Sequence, residues 1–415
     1  MRILVLTQYF WPENFRINDV VAGLAERGHD VVVSTGLPNY PSGSFHAGYG
    51  WKGPYREAWR GIEVRRVPLI PRGGSGGLRL ALNYFSHALC ASLDALSARR
   101  GSFDAILVFE PSPVTIGIPA RVLKLRIGAP LLFWVQDLWP ESLSATGAAT
   151  NRGVLSLVGR LVRWIYRGCD RVLVQSRAFI SPVAAQGVPL DRIAYLPNSA
   201  EDFYRCRAPL PEDPEATEMP PGFRVLFAGN IGAAQDFPTI LEAAERLREE
   251  PHIRWIIIGD GRMKSWVESE IQARSLQDTV CLLPSRSPEA MPACFSHADL
   301  MLATLRRDPI FAYTIPSKIQ SYLACGKAVV AALEGEGAQV VVESGAGWAV
   351  PPENPRALAD AVLAASRLSR SEIGQMGSRG EAYFRQHFER GLLLSRLEGI
   401  IASAVDEHNG AARNS

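Results

Sequence analysis

Long apolar runs, paired cysteines and paired histidines are all missing from this sequence of 415 residues. No stretch reaches the roughly 18 apolar residues of a membrane span, so we expect no transmembrane helix. The six cysteines form no CxxC pair, and the seven histidines never form HxH or HxxxH. A metal centre of either kind is therefore not expected, and we interpret the cysteines as reduced thiols of a cytoplasmic protein.

Charge of one sign is also lacking overall, because the formal net charge is only +2. The two halves nevertheless differ: residues 1–200 have 22 Lys+Arg against 13 Asp+Glu, and the remaining residues have 22 against 29. A basic half joined to an acidic half suggests that the first half faces something anionic. Nucleic acid, a membrane surface and a phosphorylated substrate all fit that charge.

Short runs of valine, isoleucine and leucine alternate with longer helical patterns along the chain. This alternation is typical of βαβ units with parallel strands buried on both faces. Five prolines among acidic residues predict a linker at 201–222. We therefore predict an α/β protein of two doubly wound, Rossmann-like parallel-sheet domains, 1–200 and 223–385, that face each other across a cleft. The predicted strands are 3–7, 31–35, 62–67, 105–109, 131–135 and 172–175, then 225–228, 255–258, 280–283, 300–303 and 328–331.

Two glycine turns follow neighbouring strands of the second domain. They are Gly229-Asn230-Ile231-Gly232 and Gly259-Asp260-Gly261-Arg262. Backbone N–H groups at such turns can hold a phosphate, helped by the dipole of the next helix. One turn alone is a weak signal, because glycine is common wherever φ is positive. Neither turn fits GxGxxG or GxxxxGK[ST], which disfavours a dinucleotide fold and a P-loop. Arg286, after strand 280–283, is a further donor-binding candidate.

Lys318 lies in the first turn of a helix predicted at 318–325, with Ser317 as its N-cap. A cation there opposes the helix dipole, so the position is poor for stability alone. A lysine is well placed if it meets an anion at the same helix end. The alternative is an exposed lysine that extends to water. We predict that Ser317 and Lys318 bind an anionic donor.

Asp137 and Glu141 lie in the run Gln136-Asp137-Leu138-Trp139-Pro140-Glu141, directly after a predicted strand. Doubly wound sheets present their ligands at this edge, so both acids are candidates for acid–base chemistry or sugar binding, with Trp139 beside them. The alternative is an ordinary helix start with Pro140 in its first turn.

Aromatic, acidic and basic residues also follow the first strand, at 8–16. An aromatic ring with a carboxylate suits a sugar, and an arginine near a helix start suits a phosphate. Simple loop packing is the alternative. The predicted acceptor residues here are Trp11, Asn14, Asn39 and Tyr40, with Glu13 as a catalytic candidate beside Asp137 and Lys318, and Arg16 as a phosphate ligand.

Two helical stretches in the first half have membrane-binding character. Residues 78–96 are apolar on most sides, and residues 151–167 are amphipathic. The second stretch places Arg160, Arg163 and Arg167 beside Trp164, and a basic amphipathic helix can bind anionic lipid. A packing helix with a solvated basic face is the alternative.

Taken in order, these motifs resemble the family 4 glycosyltransferases of the GT-B fold over nearly the whole chain. The bacterial subgroup of colanic acid, O-antigen and capsule biosynthesis, with its fucosyl- and N-acetylfucosaminyl-transferases, is the most similar. The most specific matching segments are Asp137-Leu138-Trp139-Pro140-Glu141 and Pro316-Ser317-Lys318. Further matching segments are 24–31, 196–199, 227–232, 258–261, 291–292, 298–299 and 322–327.

The resemblance implies a UDP- or GDP-linked sugar, such as a deoxy or N-acetylated hexose, bound by the second domain. It implies a polyprenyl-diphosphate-linked saccharide bound by the first domain, retention of configuration, and no metal or other cofactor. It also implies a peripheral protein on the cytoplasmic face of the inner membrane, without a nucleic-acid partner, and a C-terminal helix within 386–415 that packs on the first domain.

Two departures from the family pattern concern the donor site. Tyr313 and Ser321 stand where the family has paired glutamates, and Asn230 and Gln235 stand where it has an arginine and a lysine. Substitutes could come from Lys318, Arg262, Arg306 or Arg16. A UDP-sugar 2-epimerase on the same fold and a non-catalytic sugar-nucleotide-binding subunit therefore remain as alternatives.

Overall fold

The computed structural model describes residues 1–74, 77–145 and 151–413, which divide into two compact units. Unit 1 comprises residues 1–197 together with the chain from Leu394 onward, and unit 2 comprises Asn198–Leu393. Among these residues, no helix is both long and apolar enough to cross a membrane.

Unit 1 is built on an eight-stranded sheet with the order β3-β4-β2-β1-β5-β6-β7-β8. All neighbouring strands are parallel except the β3–β4 pair, so the sheet is mixed. Its elements are β1 (Arg2–Leu6), α1 (Arg16–Glu26), β2 (Asp30–Gly36), β3 (Arg56–Trp59), β4 (Ile62–Val67), α2 (Gly77–Ala95), β5 (Ala105–Glu110), α3 (Gly117–Ile127), β6 (Leu131–Val135), α4 (Glu141–Ala145), α5 (Arg152–Arg167), β7 (Arg171–Val174), α6 (Ile180–Ala185) and β8 (Ile193–Tyr195).

Unit 2 is built on an all-parallel, six-stranded sheet with the order β11-β10-β9-β12-β13-β14. Its elements are α7 (Glu215–Glu218), β9 (Phe223–Ala228), α8 (Phe237–Arg246), β10 (Ile253–Ile258), α9 (Lys264–Ala273), β11 (Val280–Leu283), α10 (Met291–Ser296), β12 (Leu300–Thr304), α11 (Pro309–Ala312), α12 (Ser317–Ala324), β13 (Val329–Ala332), α13 (Glu336–Glu343), β14 (Gly347–Val350), α14 (Pro355–Ser366) and α15 (Arg370–His387). The last helix, α16 (Arg390–Arg413), belongs to unit 1 from Leu394 onward.

The core of unit 2 lies on both faces of its sheet, as the apolar strands require. Leu226 and Ala228 face one buried cluster, whereas Val225 and Phe227 face the other. Successive side chains of a strand point to opposite faces, so only a continuous apolar run can fill both layers. The prediction of two parallel-sheet α/β domains is confirmed by this architecture.

The last helix, α16, is held to unit 1 by polar contacts. Glu398 accepts hydrogen bonds from Arg27 at 2.7 Å and pairs with His29 at 2.8 Å. His408 Nε2 lies 2.9 Å from the carbonyl oxygen of Gly128. These contacts explain why the end of the chain clusters with the unit that contains its beginning.

The segment 201–222 is more than a linker, so that part of the prediction needs correction. Met219 is buried in the core of unit 2, and Asp213 pairs with Arg207 at 2.8 Å. Glu215 is buried as well and accepts a hydrogen bond from Cys294 Sγ at 3.2 Å. One apolar side chain and a few paired acids are enough to fix a proline-rich segment on a neighbouring core.

Candidate active site

The two glycine turns of unit 2 lie against each other at the point where the strand order reverses. β9 is flanked by β10 and β12, and ligands of doubly wound sheets bind at such switch points. A Cβ atom on Gly259 would lie 1.9 Å from the carbonyl oxygen of Gly229, and one on Gly261 would lie 2.3 Å from that of Ile231. Glycine is therefore required here by close backbone approach.

Several N–H groups of these turns are already used by the turns themselves. Gly229 donates to Ile258 at 2.9 Å, and Ile231 donates to Asp260 at 2.7 Å. The backbone of Gly261 donates to the side chain of Asp260 at 2.8 Å. The Gly229 and Ile231 donors join the first turn to the end of β10 and to the second turn, whereas the Gly261 donor is used within the second turn. These three N–H groups are therefore not free for a phosphate.

Lys318 provides the positive charge at this point of the sheet. Its ammonium lies 3.8 Å from the centre of the Phe227 ring, and a Cβ on Gly229 would lie 3.6 Å from it. The nitrogen is buried and has no hydrogen-bond partner among the described residues. Burial lowers the pKa of Lys318 to about 7. A buried amine without an acceptor is costly in a resting protein, which points to a ligand that supplies the acceptor.

Other cations lie at or near the same strand ends. Arg262 is exposed, and its side chain forms no hydrogen bond or ion pair with any other of the described residues. Arg306 is exposed after β12, and its backbone N–H donates to Ala234 at 2.9 Å. Arg286, by contrast, forms an ion pair with Glu218 of α7, so its charge already has a partner. The structure therefore favours Arg262 and Arg306 over Arg286 as companions of Lys318.

Ser317 does not cap α12, and that prediction was wrong. The helix begins at Ser317 itself, with Pro316 at the N-cap position and no side-chain cap. The carbonyl oxygen of Ser317 accepts a hydrogen bond from the Ser321 hydroxyl at 3.2 Å.

Asn230 is exposed in its turn, and the Gln235 amide, oriented by its hydrogen-bond network, donates to the backbone oxygens of Asn230 and Gly232 at 3.3 Å. Gln235 thus braces the turn.

Asp137 follows β6 in unit 1 and accepts a hydrogen bond from the Ser142 hydroxyl. Burial raises the pKa of Asp137, and this hydrogen bond lowers it. Trp139 is buried with its ring edge toward Tyr84, at 6.5 Å between ring centres, whereas Glu141 is half-buried as the first residue of α4.

Glu110, which the sequence analysis missed, is a second acid beside Asp137. It ends β5, next to β6 in the sheet, and its carboxyl is fully buried. Burial raises the pKa of Glu110 well above its usual range, and the charge of Asp137 raises it further. The two side chains therefore differ in character: Glu110 is fully buried and the more easily protonated of the two, and Asp137, which is less buried, is the one that can meet a substrate.

Glu13 is buried and fastens two loops rather than facing a ligand. Its carboxylate accepts backbone hydrogen bonds from Asn39 at 2.8 Å, Tyr40 at 2.7 Å and Phe10 at 3.3 Å. Burial raises the pKa of Glu13 to about 6 against these three hydrogen bonds, which lower it. This arrangement favours a positioning role over the catalytic role that the sequence suggested.

The remaining acceptor candidates divide into buried and exposed groups. Asn39 is fully buried, and its amide donates to Leu37 at 3.0 Å. Trp11, Asn14 and Tyr40 are exposed. Arg16 is half-buried at the start of α1 and has polar partners of its own. The exposed aromatic rings are therefore the side chains of this group that are open to a sugar.

Two helices of unit 1 present apolar side chains to solvent. In α2, the buried side carries small and polar residues, whereas five large apolar side chains share the outer side. In α5, Leu157 and Trp164 are exposed beside Arg160 and Arg167, while Arg163 lies 3.5 Å from the Gln186 amide. The outer side chains of α2 are Leu78, Leu82, Phe85, Leu89 and Leu93, and the exposed Leu96 directly follows the helix.

No group of three or more His, Cys, Asp or Glu side chains in residues 1–74, 77–145 and 151–413 is placed to hold a metal ion. The independence from metals that the resemblance implies stays a prediction.

Comparisons with known proteins agree with this geometry in both units. Residues 14–199 match the family model of the glycosyl transferase 4-like domain, and residues 212–378 match that of glycosyl transferases group 1. The putative colanic acid biosynthesis glycosyl transferase WcaI of Escherichia coli K12 is 28% identical over 346 residues, which cover 79% of this chain and 82% of WcaI. The probable glycosyltransferase WbjE of Pseudomonas aeruginosa is 26% identical over 323 residues, or 75% and 76% of the two chains.

Among solved structures, Anabaena HepE in complex with UDP superposes with a TM-score of 0.70 at 16% identity, over 97% of this chain and all of HepE. At that identity the likeness concerns the fold. With two glycosyltransferase domains in their family order, the chain belongs to the family 4 glycosyltransferases of the GT-B fold.

Proposed function

We propose that this glycosyltransferase moves a hexose, such as a deoxy or N-acetylated one, from a UDP- or GDP-linked donor to a lipid-diphosphate-linked saccharide of bacterial surface polysaccharide. The buried amine of Lys318, unpartnered at the switch point of unit 2, is the observation that carries the donor part. WcaI, named for colanic acid biosynthesis, and the UDP complex of HepE support the pathway and the nucleotide.

The donor chemistry follows from charge. When the sugar leaves, negative charge grows on the diphosphate, and a preorganised cation stabilises that charge most in a site without water. Lys318 supplies the cation, and Arg262 and Arg306 lie at neighbouring strand ends. Breaking the bond between the sugar and the diphosphate and forming the bond to the acceptor on the same face retains the configuration, with a donor phosphate oxygen accepting the proton of the acceptor hydroxyl. Asp137 is the residue that could instead form a covalent intermediate.

A thermal-shift screen tests the donor site directly. UDP, GDP, dTDP and ADP, each with and without a linked sugar, are added to the full chain at millimolar concentration. A ligand of the native state raises the midpoint according to RT ln(1 + [L]/Kd), so micromolar affinity is visible. A shift with UDP or GDP supports the proposal, whereas no shift with any nucleotide contradicts it. Binding without any turnover on lipid-linked acceptors would instead identify a binding subunit.

The lipid part rests on α2 and α5. Helix α2 reverses the usual pattern of a surface helix, because Leu78, Phe85 and Leu89 are each at least 60% exposed while its small residues are buried. A large exposed apolar patch marks an interaction surface. The arginines of α5 favour an anionic partner, and Trp164 with Arg121 stacked on it at 4.6 Å is the kind of residue that sits at a lipid interface. These two helices support our proposal that the protein binds a membrane surface, which we take to be the cytoplasmic face of the inner membrane.

Co-sedimentation with vesicles tests this surface. On vesicles that contain phosphatidylglycerol, substitution of Arg160, Arg163 and Arg167 by glutamate should release most of the protein, and Leu82→Ser with Leu89→Ser should do the same. The Leu pair should also reduce binding to neutral vesicles, whereas the Arg triple should not. Equal co-sedimentation of both variants and the wild type would leave these helices as packing elements only.

A further inference from the structure

Arg72 is, like Glu110, a site residue of unit 1 that no sequence motif indicated. It lies in the loop between β4 and α2. Its guanidinium donates to the Tyr9 hydroxyl at 3.0 Å and stacks over two rings, 5.7 Å from the centre of Tyr9 and 5.1 Å from that of Tyr40. The rings of Tyr9 and Phe15 stack in turn at 5.1 Å. The arginine is therefore held on an aromatic support.

No carboxylate among the described residues forms an ion pair with Arg72. Glu13, the acid of the neighbouring loop, already accepts three backbone hydrogen bonds. An arginine has five N–H donors, and the structure shows an acceptor for one of them. Such a planar fork suits the bidentate binding of a phosphate.

The Tyr9 hydroxyl is a second donor at the same place. It accepts hydrogen bonds from Arg72 and, at 3.3 Å, from the Gln8 amide. Burial raises the pKa of Tyr9, so the hydroxyl keeps its proton. That proton has no acceptor among the residues the structure describes. An anion beside Arg72 would supply the acceptor that both donors lack.

A buried amide network fixes the position of Arg72 in advance. Its backbone N–H donates to Asn39 Oδ1 at 3.1 Å. Asn83 donates to the backbone oxygen of Ile70 at 2.7 Å and accepts from Gln8 at 2.8 Å. Little freedom is left to lose when a ligand binds, which favours affinity.

The arginine also shares a neighbourhood with the candidate acids. Burial raises the pKa of Tyr84, the charge of Arg72 lowers it, and the charge of Asp137 raises it. The Tyr84 hydroxyl is therefore close enough to both Arg72 and Asp137 for their charges to shift its pKa. Helix α2, with its outer apolar side, begins at Gly77, five residues after Arg72 along the chain.

We propose that Arg72, supported by Tyr9 and Tyr40, binds a phosphoryl group of the acceptor, in the diphosphate that joins the lipid to the saccharide. This inference rests on the proposed function. The guanidinium and the Tyr9 hydroxyl hold phosphate oxygens, the saccharide extends toward Asp137, and the hydrocarbon lies along α2.

The test uses geranyl diphosphate as a soluble probe, with geraniol and inorganic pyrophosphate alongside it. Titrations are made by calorimetry in the Lys318→Met background, so that the donor site cannot bind the diphosphate. Arg72→Gln keeps the stem of the side chain and one donor for Tyr9. We expect it to weaken geranyl diphosphate binding at least tenfold, with Arg72→Lys in between. Geraniol should bind weakly to all variants.

Arg60→Gln is the matched control, because Arg60 also stacks on an aromatic ring, 5.1 Å from the centre of Trp59, at the β3–β4 turn. It should bind like the parent. Vesicles of phosphatidylglycerol distinguish an acceptor diphosphate from a lipid headgroup as the phosphate that Arg72 binds. If Arg72→Gln weakens vesicle binding but leaves geranyl diphosphate binding intact, the site binds lipid headgroups and the proposal is wrong.

The proposal would be overturned if Arg72→Gln and its parent bound geranyl diphosphate with equal affinity. It would also be overturned if the substitution lowered only the thermal stability of the protein and not this affinity. UDP-sugar binding by the protein with Lys318 intact distinguishes a failure of the acceptor subsite from a failure of the proposed function. If the donor binds and geranyl diphosphate does not, the acceptor subsite is wrong while the proposed function stands. If neither binds, both fail.

Discussion

Substitution of Lys318 by methionine should move stability and donor binding in opposite directions. A folded-state pKa of about 7, against about 10.4 in the unfolded chain, means that the folded protein holds this proton less tightly. The unfolded state gains from that difference, so this lysine costs stability that grows as the pH falls from about 10.4 to 7. The full shift of roughly three units corresponds to about 4 kcal/mol.

Lys318→Met should recover only part of that cost, because the surroundings of the amine relax and the variant loses the contact between the protonated amine and the face of Phe227. We expect a net gain of about 1–2 kcal/mol for Lys318→Met. For a unit of this size, 1 kcal/mol corresponds to about 2–4 °C, so the midpoint of unfolding should rise by about 2–8 °C at pH 7. The gain should disappear near pH 10.

Donor binding, unlike stability, should be favoured by a protonated Lys318 and should weaken in Lys318→Met. The amine must be protonated to hold the diphosphate, so the free energy of protonation is added to the cost of binding above pH 7. The affinity of the wild type should be full below pH 7 and should fall by nearly tenfold for each pH unit above it. A nucleotide sugar is the right probe, because the terminal phosphate of a free diphosphate itself titrates near pH 6.

Calorimetry between pH 6.5 and 8.5, in two buffers with different heats of ionisation, measures both the affinity and the proton uptake. Uptake should approach one proton at pH 8.5 in the wild type and vanish in Lys318→Met, with affinity at least tenfold weaker at pH 6.5, or about 1.4 kcal/mol. Lys327→Met is the contrasting control, because its amine donates to Ser296 at 2.9 Å and Ala298 at 2.8 Å. That variant should lose stability.

A pH-independent affinity in the wild type would refute the reasoning about Lys318. So would a Lys318→Met protein that is less stable than the wild type at pH 7, because it would show that the amine has a partner in the native state.

The other predictions concern both units. Glu110→Gln mimics the protonated acid. Because burial raises the pKa of Glu110 well above its usual range, the stability of this variant relative to the wild type, measured by thermal unfolding, should increase as the pH rises above the usual range of a carboxyl; a difference that does not change with pH would contradict this prediction. Asp137→Asn should lower turnover at least about a hundredfold and leave nucleotide affinity unchanged; retained turnover would remove Asp137 from the chemistry. Gly259→Ala brings a Cβ within 1.9 Å of the Gly229 oxygen and should cost more than about 2 kcal/mol together with nucleotide binding, whereas Gly374→Ala, with nothing within 4 Å on α15, should stabilise by about 0.5–1 kcal/mol.

Sequence reasoning reached the fold because buried strands leave a continuous apolar run. The strands β4, β6 and β11 have the predicted bounds. β6 and β11 are uninterrupted apolar runs, whereas β4 has apolar residues at both ends and charged residues between them. The antiparallel strand β3 was missed, because Arg56-Glu57-Ala58-Trp59 at the sheet edge carries charge and alternation rather than an apolar run. The edge strand β8 is only three residues long and half-buried, which is too little for a pattern.

Sequence reasoning identified residues of the site only where a single short segment shows their chemical role. Lys318 and the glycine turns were predicted because a cation in a first helical turn and glycine after a strand are odd choices for stability alone. Arg72 and Glu110 had no such signal. Each becomes visible through tertiary contacts, with Tyr9 and Tyr40 in one case and Asp137 in the other.

The absence of a glutamate at Ser321, where the family pattern has one, explains why Lys318 lacks a counterion. Ser321 is buried one helical turn after Lys318, and side chains three residues apart on a helix are neighbours. A carboxylate at 321 could hold the amine protonated without a ligand, whereas the serine hydroxyl is used on the oxygen of Ser317. The donor diphosphate then becomes the counterion of Lys318.

Ser321→Asp tests this argument, because it returns an acid to the turn that contains Lys318. The acid should raise the pKa of Lys318, since an opposite charge nearby favours the protonated amine. Donor affinity should then lose its pH dependence between 6.5 and 8.5, and it should weaken, because the diphosphate must displace the carboxylate. Ser321→Ala, which removes the hydroxyl without adding charge, should keep the slope of the wild type. An unchanged slope in Ser321→Asp would show that the amine is not controlled by its counterion.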